Sequence, residues 1–179
     1  MAITINGTGS ISGLTATGIS AQPVFPGNVL QVVSTTKTDT TSTASTTFVD
    51  LTGLSVSITP ASASNKIYVM FTVSGSHSGT GDNTHLQLLR DSTALGLGDA
   101  AGSRPRSTAL LAMPSVNAYN LVTASYSYLD SPSSTSSLTY KLQFKVKTGT
   151  GFINRTGTDG DTPDGQRTSS TITVMEVAA

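Results

Sequence analysis

The stretch "KIYVMFTVSG", residues 66–75, is the strongest strand-forming segment of the sequence. Its β-branched and aromatic side chains favour extended backbone. The run from Ile67 to Phe71 is apolar at every position and therefore on both faces of the strand. We therefore expect this segment to lie at the centre of a β-sheet.

Segments on both sides of this stretch alternate between apolar and polar residues with a period of two. The clearest is residues 138–149, which place Leu138, Leu142 and Val146 on one face and Lys141 and Lys145 on the other. Turn-forming residues separate about ten such segments at intervals of roughly 8 to 15 residues, which is typical of a β-sandwich or jelly roll. No helical periodicity is visible. The further predicted strands are residues 29–37, 46–51, 54–60, 84–92, 108–113, 120–131, 151–157 (as a short edge strand) and 170–179, and residues 38–45 are predicted as a polar hairpin or loop.

Composition narrows the function classes. The 179 residues are 11% charged with a formal net charge of +0, so no basic footprint for nucleic acid is visible. A near-neutral surface is poorly protected against association, as in a protein that assembles. No apolar run approaches the roughly 20 residues that span a bilayer, so we expect no membrane insertion. The chain has no cysteine, and its start lacks the basic and apolar regions of a signal peptide, so we expect synthesis in a cytoplasm.

The first 20 residues differ from the rest. In "ITINGTGSISGLTATGIS", residues 3–20, sparse aliphatics are set among Gly, Thr and Ser. Such a ribbon cannot repay its own ordering entropy, about 1–2 kcal/mol per residue for the backbone, so it needs a partner. The partner is either its own copies, as a trimer, or the sheet edge of another protein. The aliphatic residues predicted to carry this assembly are Ile3, Ile5, Ile11, Leu14 and Ile19.

Three units follow from this pattern. Residues 1–20 are predicted to be an extended attachment or trimerisation segment. Residues 21–28, with two prolines and a glycine, are predicted to be a hinge. Residues 29–179 are predicted to form an all-β, jelly-roll-like sandwich of antiparallel strands, a knob that projects outward.

Two polar loops invite a comparison with metal sites. His77 and His85 bracket Asp82, and these residue types suit transition metals, but the spacing matches no closed site, and hydrated histidines are the favoured interpretation. The second loop carries three aspartates at relative positions 1, 3 and 6, with no bidentate glutamate after them, so an Asx-rich turn is favoured over a calcium loop. These aspartates are Asp159, Asp161 and Asp164. We predict no metal and no cofactor, and consider His77, Asp82 and the three aspartates as receptor-facing loop residues.

The glycine-rich segment 96–106 lacks the Lys-Ser/Thr pair and the helix of a phosphate-binding loop. Its Arg104 and Arg106 flank Pro105, and we predict that they reach a carboxylate on this or a neighbouring subunit. Catalysis is not expected. There is no G-x-S-x-G motif, Glu176 is the single glutamate, and tryptophan is absent.

The chain resembles a family of tailed-bacteriophage virion proteins found in phages of marine bacteria and cyanobacteria. The resemblance is carried by "MAITINGTGSISGL", by "PGNVLQVVSTTKTDTTSTASTTFVDLTGLSVSITPASASNKIYVMFTVSG", and by "LQLLRDSTALGLGDAAGSRPR", "LDSPSSTSSLTYKLQFK" and "STITVMEV". It covers nearly the whole chain. It implies a β-rich, non-enzymatic and commonly trimeric virion component, and it supplies no set of binding residues.

The sequence and the resemblance together predict a short fibre or decoration protein on the outside of a phage capsid or tail. Its partners would be its own copies in a homotrimer and another virion protein bound through residues 1–20, and assembly would occur in the bacterial host cytoplasm. The alternative is a receptor-binding tail-fibre tip, whose polar loops recognise a host surface glycan or protein. A glycan depolymerase is a third and weaker hypothesis, because the chain is small and poor in carboxylates.

Overall fold

A computed structural model of the chain describes residues 25–78, 82–112 and 119–179. These residues form eleven β-strands and no helix, with all strands antiparallel in two sheets. The predicted all-β sandwich is therefore confirmed. The strands are β1 Val29–Lys37, β2 Thr41–Thr43, β3 Val49–Ile58, β4 Lys66–His77, β5 Asn83–Arg90, β6 Thr93–Leu95, β7 Ala109–Ala112, β8 Val122–Asp130, β9 Leu138–Val146, β10 Gly151–Ile153 and β11 Ser170–Val177.

The first sheet is organised around β4, the segment with which the sequence analysis began. One edge of β4 pairs with β8. The other edge pairs with β11 and then with β10, while β1 and β2 extend the sheet beyond those two strands. The predicted central position of β4 is confirmed. The strand is buried on its inward face by Ile67, Val69 and Phe71, whereas Met70 on its outward face is 37% exposed.

The second sheet is organised around β9 and β5. Strand β9 lies between β3 and β5, and the far edge of β5 pairs with β7 and β6. At one side of the sandwich the two sheets meet where the Thr35 hydroxyl of β1 donates a hydrogen bond to the Ser55 carbonyl of β3, at 3.0 Å. The sandwich therefore has little open edge on that side, which protects its strands from unwanted pairing.

The core is built from alternate residues of the central strands. On β4, Ile67, Val69, Phe71 and Val73 are buried, and on β9 every second residue from Leu138 to Val146 is buried. Each fully buried aliphatic or aromatic side chain contributes about 1.5–3 kcal/mol relative to exposure. The period-two pattern of the sequence thus becomes the inner face of each sheet.

One strand departs from the prediction. Residues 46–51 and 54–60 were predicted to be two strands, but residues 49–58 form the single strand β3 with a pairing shift between Asp50 and Ser55. At the shift, Gly53 has φ +89°, a left-handed conformation that glycine adopts without steric cost. The resulting bulge lets Leu51 and Leu54 both point inward although they are three residues apart.

Two short strands also correct the sequence analysis. Residues 151–157 were predicted to contain an edge strand, but β10 pairs with β4 on one side and β2 on the other. Strand β2 lies within residues 38–45, which were predicted to be a polar hairpin or loop. Threonines dominate β2, and their β-branched side chains let a polar segment pair as a strand.

The part of the predicted hinge that the structure describes, residues 25–28, is hydrogen-bonded to the last residues of the chain. The Gly27 amide donates to the Ala178 carbonyl at 2.8 Å, and the Ala178 amide donates to the Asn28 carbonyl at 2.9 Å. Residues 25–28 therefore lie just before the start of β1 and beside the C-terminal end of β11. In the described ranges there is no helix with the length and hydropathy of a membrane span.

Candidate functional site

The residues predicted to carry assembly lie outside the described residues. They are Ile3, Ile5, Ile11, Leu14 and Ile19. The described residues nearest to them in sequence are 25–29.

The two histidines do not meet at one site. His77 is buried at the end of β4, where its Nε2 lies 2.8 Å from the Thr148 carbonyl oxygen. The Thr148 hydroxyl donates a hydrogen bond to Asp82. His85 lies on β5, where its Nδ1 is 2.8 Å from the Ser107 hydroxyl oxygen. Across the residues that the structure describes, no three His, Cys, Asp or Glu side chains are placed to hold a metal ion.

The acidic loop is held by arginines. Asp159 forms an ion pair with Arg167 at 2.5 Å and a longer one with Arg155 at 3.7 Å. The guanidinium of Arg155 also stacks 3.7 Å from the centroid of the Phe152 ring. Asp161 and Asp164 are exposed farther along the same loop. Asp159 thus ties the loop to β10, which suits a structural turn.

Arg104 and Arg106 lie in the connection from β6 to β7. Arg106 donates from Nε to the Gly98 carbonyl at 2.6 Å, which closes this connection on itself. Neither guanidinium forms an ion pair within this chain in the part that the structure describes. Both arginines line a cleft of about 440 Å³ that also includes His85.

Two buried carboxylates are fully engaged in structural contacts. Both carboxylate oxygens of Asp130 accept hydrogen bonds from Nη1 of Arg90, at 2.7 and 2.6 Å. One of them also accepts a hydrogen bond from the Tyr140 hydroxyl at 2.6 Å. Burial raises the pKa of Tyr140, and its hydrogen bond to Asp130 raises it further. This network joins β5, β8 and β9 and therefore ties the two sheets together.

The second buried carboxylate is Glu176 of β11. It accepts hydrogen bonds from Gln31 at 2.6 Å, the Ala61 amide at 2.7 Å and Asn65 at 2.6 Å. Burial alone would raise the pKa of Glu176, but these hydrogen bonds outweigh burial and lower it. The carboxylate is thus held in its charged form and fastens the loop after β3 to β11.

The most distinctive surface is a row of apolar side chains across the outward face of the first sheet. Strand pairing places Val32 beside Met175, Met175 beside Tyr68, and Tyr68 beside Leu129. Val32 is 55% exposed and Leu129 is 50% exposed. We call this row the apolar stripe. It crosses β1, β11, β4 and β8 in turn.

The apolar stripe continues toward the point where the chain joins the sandwich. Val29, which is 53% exposed, pairs with Val177 next to the stripe. Phe25 precedes it and is 62% exposed. In soluble monomers, contiguous exposed apolar patches of this kind mark interaction sites.

Sequence reasoning missed the apolar stripe because its members come from four segments far apart in the chain. Each residue alone is an ordinary outward strand position. Only the register of β4 against β8 and β11 places Tyr68 between Leu129 and Met175. The next rows toward the other end of the sheet are mostly hydroxyl-bearing, as in Thr36, Thr171, Thr72 and Ser125, so the stripe is local.

Neither a protein-family model nor a curated protein matches the chain. Among solved structures, the chain is similar to "Structure of infectious bursal disease virus Gx strain", with 14% identity over 95% of this chain and 41% of that chain, at a TM-score of 0.44. It is similar to the Gt strain structure with 14% identity over 95% of this chain and 42% of that one, at a TM-score of 0.43.

A third similar structure is "Crystal structure of infectious bursal disease virus VP2 subviral particle". The identity is 13% over 83% of this chain and 38% of that chain, and the TM-score is 0.40. The chain thus spans about two fifths of the length of these three solved chains.

Proposed function

We propose that this protein is a non-enzymatic structural component on the outside of a tailed-phage particle. In this proposal it is a short fibre or decoration protein, with residues 1–20 as its attachment segment. The observation that carries the proposal is the apolar stripe beside the junction with that segment. Val32 and Leu129 are half exposed and lie in one row with Met175 and Tyr68, and such contiguous apolar surface is available for contact with a partner.

We further propose that the apolar stripe packs against a second copy of this chain in a homotrimer. The described chain begins at Phe25, close to the Val29 end of the stripe. Copies joined through residues 1–20 would bring these ends together, and the stripe would continue the contact that the segment begins. The first sheet carries few charges on its outward face, so little electrostatic repulsion opposes such packing.

A structural role also suits the use of the ionisable groups. Asp130 and Glu176 are surrounded by donors from their own chain, and His77 contacts the Thr148 carbonyl. Side chains held in this way stabilise loops and sheets. They are not directed into a cleft where they would meet a substrate.

Attachment is tested by comparing particles assembled with the full chain and with a chain lacking residues 1–20, by quantitative mass spectrometry. We expect the truncated chain to be soluble and missing from particles. A copy number that matches the capsid subunits would indicate a decoration protein, and one that matches the tail symmetry would indicate a fibre. Normal incorporation of the truncated chain would contradict the anchor.

The trimer is tested by size-exclusion chromatography with light scattering on the full chain. We expect a trimer for the native sequence and dissociation for the double variant Val32→Thr with Leu129→Thr, which keeps strand-forming side chains. The matched control is Leu110→Thr, because Leu110 is an exposed apolar residue of the second sheet at 40% exposure. A native monomer, or a double variant that stays trimeric, would refute the role of the stripe.

A second candidate function is the recognition of a host surface glycan, as in a receptor-binding fibre tip. The cleft lined by Arg104, Arg106 and His85 favours it, since this cleft lies on the second sheet and leaves the apolar stripe free for assembly. The two functions are compatible in one protein.

A further inference from the structure

The cationic side chains of this chain fall into two groups. The sequence has 10 Lys and Arg residues, and all of them lie in the described ranges. Five form ion pairs with aspartates within the chain, namely Lys37, Arg90, Lys141, Arg155 and Arg167. The other five form no ion pair in the structure as described. Four of them line two neighbouring hollows on the surface of the second sheet.

The two hollows share His85 and Pro105. The larger, of about 440 Å³, contains Arg104 and Arg106. The smaller, of about 220 Å³, contains Lys145 and Lys147. We call the two together the basic cleft. The larger hollow alone is within the range of volumes that small-ligand sites have.

Two features of the fold build the basic cleft. Antiparallel pairing of β5 with β9 places His85 directly opposite Lys145 on the outward face of the second sheet. The connection from β6 to β7 then lies against β5. The Thr108 amide donates a hydrogen bond to the Leu86 carbonyl at 2.9 Å, and the Ser107 hydroxyl is hydrogen-bonded to the His85 ring. Arg104 and Arg106 are thereby held near two lysines about 40 residues away in sequence, at 145 and 147.

The electrostatics of His85 agree with this arrangement. Partial burial lowers the pKa of His85, and the positive charge of Lys145 lowers it further. A neutral imidazole at neutral pH can donate one hydrogen bond and accept another. The basic residues around His85 favour the binding of an anionic ligand.

We propose that the basic cleft binds the acidic group of a saccharide, a carboxylate, sulfate or phosphate carried on a sugar ring. Arginine guanidinium groups donate paired hydrogen bonds that match the oxygens of such groups. Ser107 and Thr46 line the same hollows with hydroxyl groups for sugar hydroxyls, and Leu110 offers an apolar surface for the ring face.

Asp99 also lines the larger hollow and restricts the ligand. Its carboxylate would accept a hydrogen bond from a sugar hydroxyl, but it would repel a second negative charge. A nucleic acid carries a phosphate on every nucleotide, and its binding depends on neutralising several of them. One acidic group on an otherwise neutral ring therefore fits the basic cleft better than a polyanionic backbone. This inference rests on the second candidate function above and is independent of how the protein is attached to a particle.

The test uses the full chain, with amide chemical shifts recorded by NMR during titration at low ionic strength. The probes are glucuronic acid, glucose 6-sulfate and glucose 6-phosphate, with glucose as the neutral match and a short DNA duplex as the polyanion. We expect the acidic sugars to shift amides around His85 and Ser107, and glucose to shift none. The acidic sugar that binds with the lowest dissociation constant would identify the class of acidic group on the ligand.

The variants are Arg104→Gln with Arg106→Gln, and Lys145→Gln with Lys147→Gln. Each pair is expected to weaken acidic-sugar binding at least tenfold. Lys66→Gln is the matched control, because Lys66 is the fifth cation without an ion pair and lies outside the basic cleft, so its affinity should equal that of the native chain. Equal thermal midpoints would show that the substitutions leave the fold intact, including the one at half-buried Lys145.

Three results would overturn the proposal: no shift with any acidic sugar, equal binding of glucose, or DNA binding that is tighter than the sugars and lost in the same variants. The chain lacking residues 1–20 should bind the acidic sugars as the full chain does. Failure of the cleft proposal and failure of the anchor proposal are therefore seen in different experiments.

Discussion

The substitution Asp130→Asn tests whether the buried network between the two sheets stabilises the fold. It keeps the shape of the side chain and removes its charge. Arg90 then faces a neutral amide, although both oxygens of Asp130 accept from its Nη1 in the native chain. The Tyr140 hydroxyl loses a charged acceptor at 2.6 Å. An uncompensated cation would remain in a partly buried position.

The expected magnitude follows from burial. Removing one partner of a buried ion pair costs about 3–5 kcal/mol. The Asp130 side chain is 6% exposed and that of Arg90 is 21% exposed, so water partly solvates the guanidinium and the lower end applies. We expect a loss of about 3 kcal/mol in the free energy of unfolding. With a urea dependence of about 2 kcal/mol per molar, the unfolding midpoint would fall by roughly 1.5 M.

The assay is equilibrium urea unfolding followed by far-ultraviolet circular dichroism and tyrosine fluorescence, since the chain has no tryptophan. The matched control is Asp50→Asn, which breaks the exposed ion pair with Lys141, whose side chains are 55% and 28% exposed. Exposed pairs contribute about 0–1 kcal/mol, so the control should shift the midpoint by less than about 0.5 M. If the two variants shifted the midpoint equally, the reasoning from burial would be refuted.

Two further predictions concern acid stability and close packing. Because the folded pKa of Glu176 lies below its ordinary 4.5, its contribution to stability is present above that pH and is lost as the pH falls through the folded pKa. Glu176→Gln should therefore lower the urea midpoint at neutral pH, and the midpoint of the variant should fall less than that of the native chain as the pH is lowered. If the midpoints of the two chains fell in parallel with pH, this explanation would be contradicted. A Cβ at Gly75 would lie 2.5 Å from the Phe152 carbonyl oxygen, so Gly75→Ala should cost about 1–3 kcal/mol by overpacking. At Gly98 a Cβ meets nothing within 4 Å, so a similar loss of thermal stability in Gly98→Ala would show that the clash is not the cause.

Much of the fold could be predicted from the sequence because strand signals are local. The period-two pattern predicted β1 and β11 within two residues at each end, and the apolar run from Ile67 to Phe71 predicted the central position of β4. The bulge at Gly53 could not be predicted in this way. There the inward residues Leu51 and Leu54 are three positions apart, which interrupts the period-two alternation. The sequence pattern therefore predicted two strands where the structure has one.

The candidate surfaces were harder to predict because they depend on pairing between distant segments. Arg104 and Arg106 were predicted from the sequence to reach a carboxylate on this or a neighbouring subunit. Among the residues that the structure describes, no carboxylate lies within ion-pair distance of them, and contact with a neighbouring subunit stays a prediction. Their nearness to Lys145 requires both the register of β5 against β9 and the path of the connection after β6. Neither is encoded by a local pattern.

The low charge of the sequence bears on both the apolar stripe and the basic cleft. Outward positions of these sheets are often filled by Ser and Thr, which hydrogen-bond in pairs across strands, as in Thr72 with Ser125 at 3.1 Å and Ser34 with Thr173 at 2.8 Å. Such pairs solvate the sheet surface and stabilise strand pairing without ion pairs, which is consistent with a chain that is only 11% charged.

On a surface of this kind, charge is not needed for solubility at every position. In the basic cleft, four cations that form no ion pair in the described structure share the space with one carboxylate, Asp99, so the formal charge there is net positive. In the same way, an apolar row bordered by hydroxyl groups lacks the lysines and glutamates that normally prevent association of exposed sheets. The low charge of the sequence thus agrees with the two contacts proposed above, apolar contact between copies across the first sheet and recognition of a single acidic group on the second.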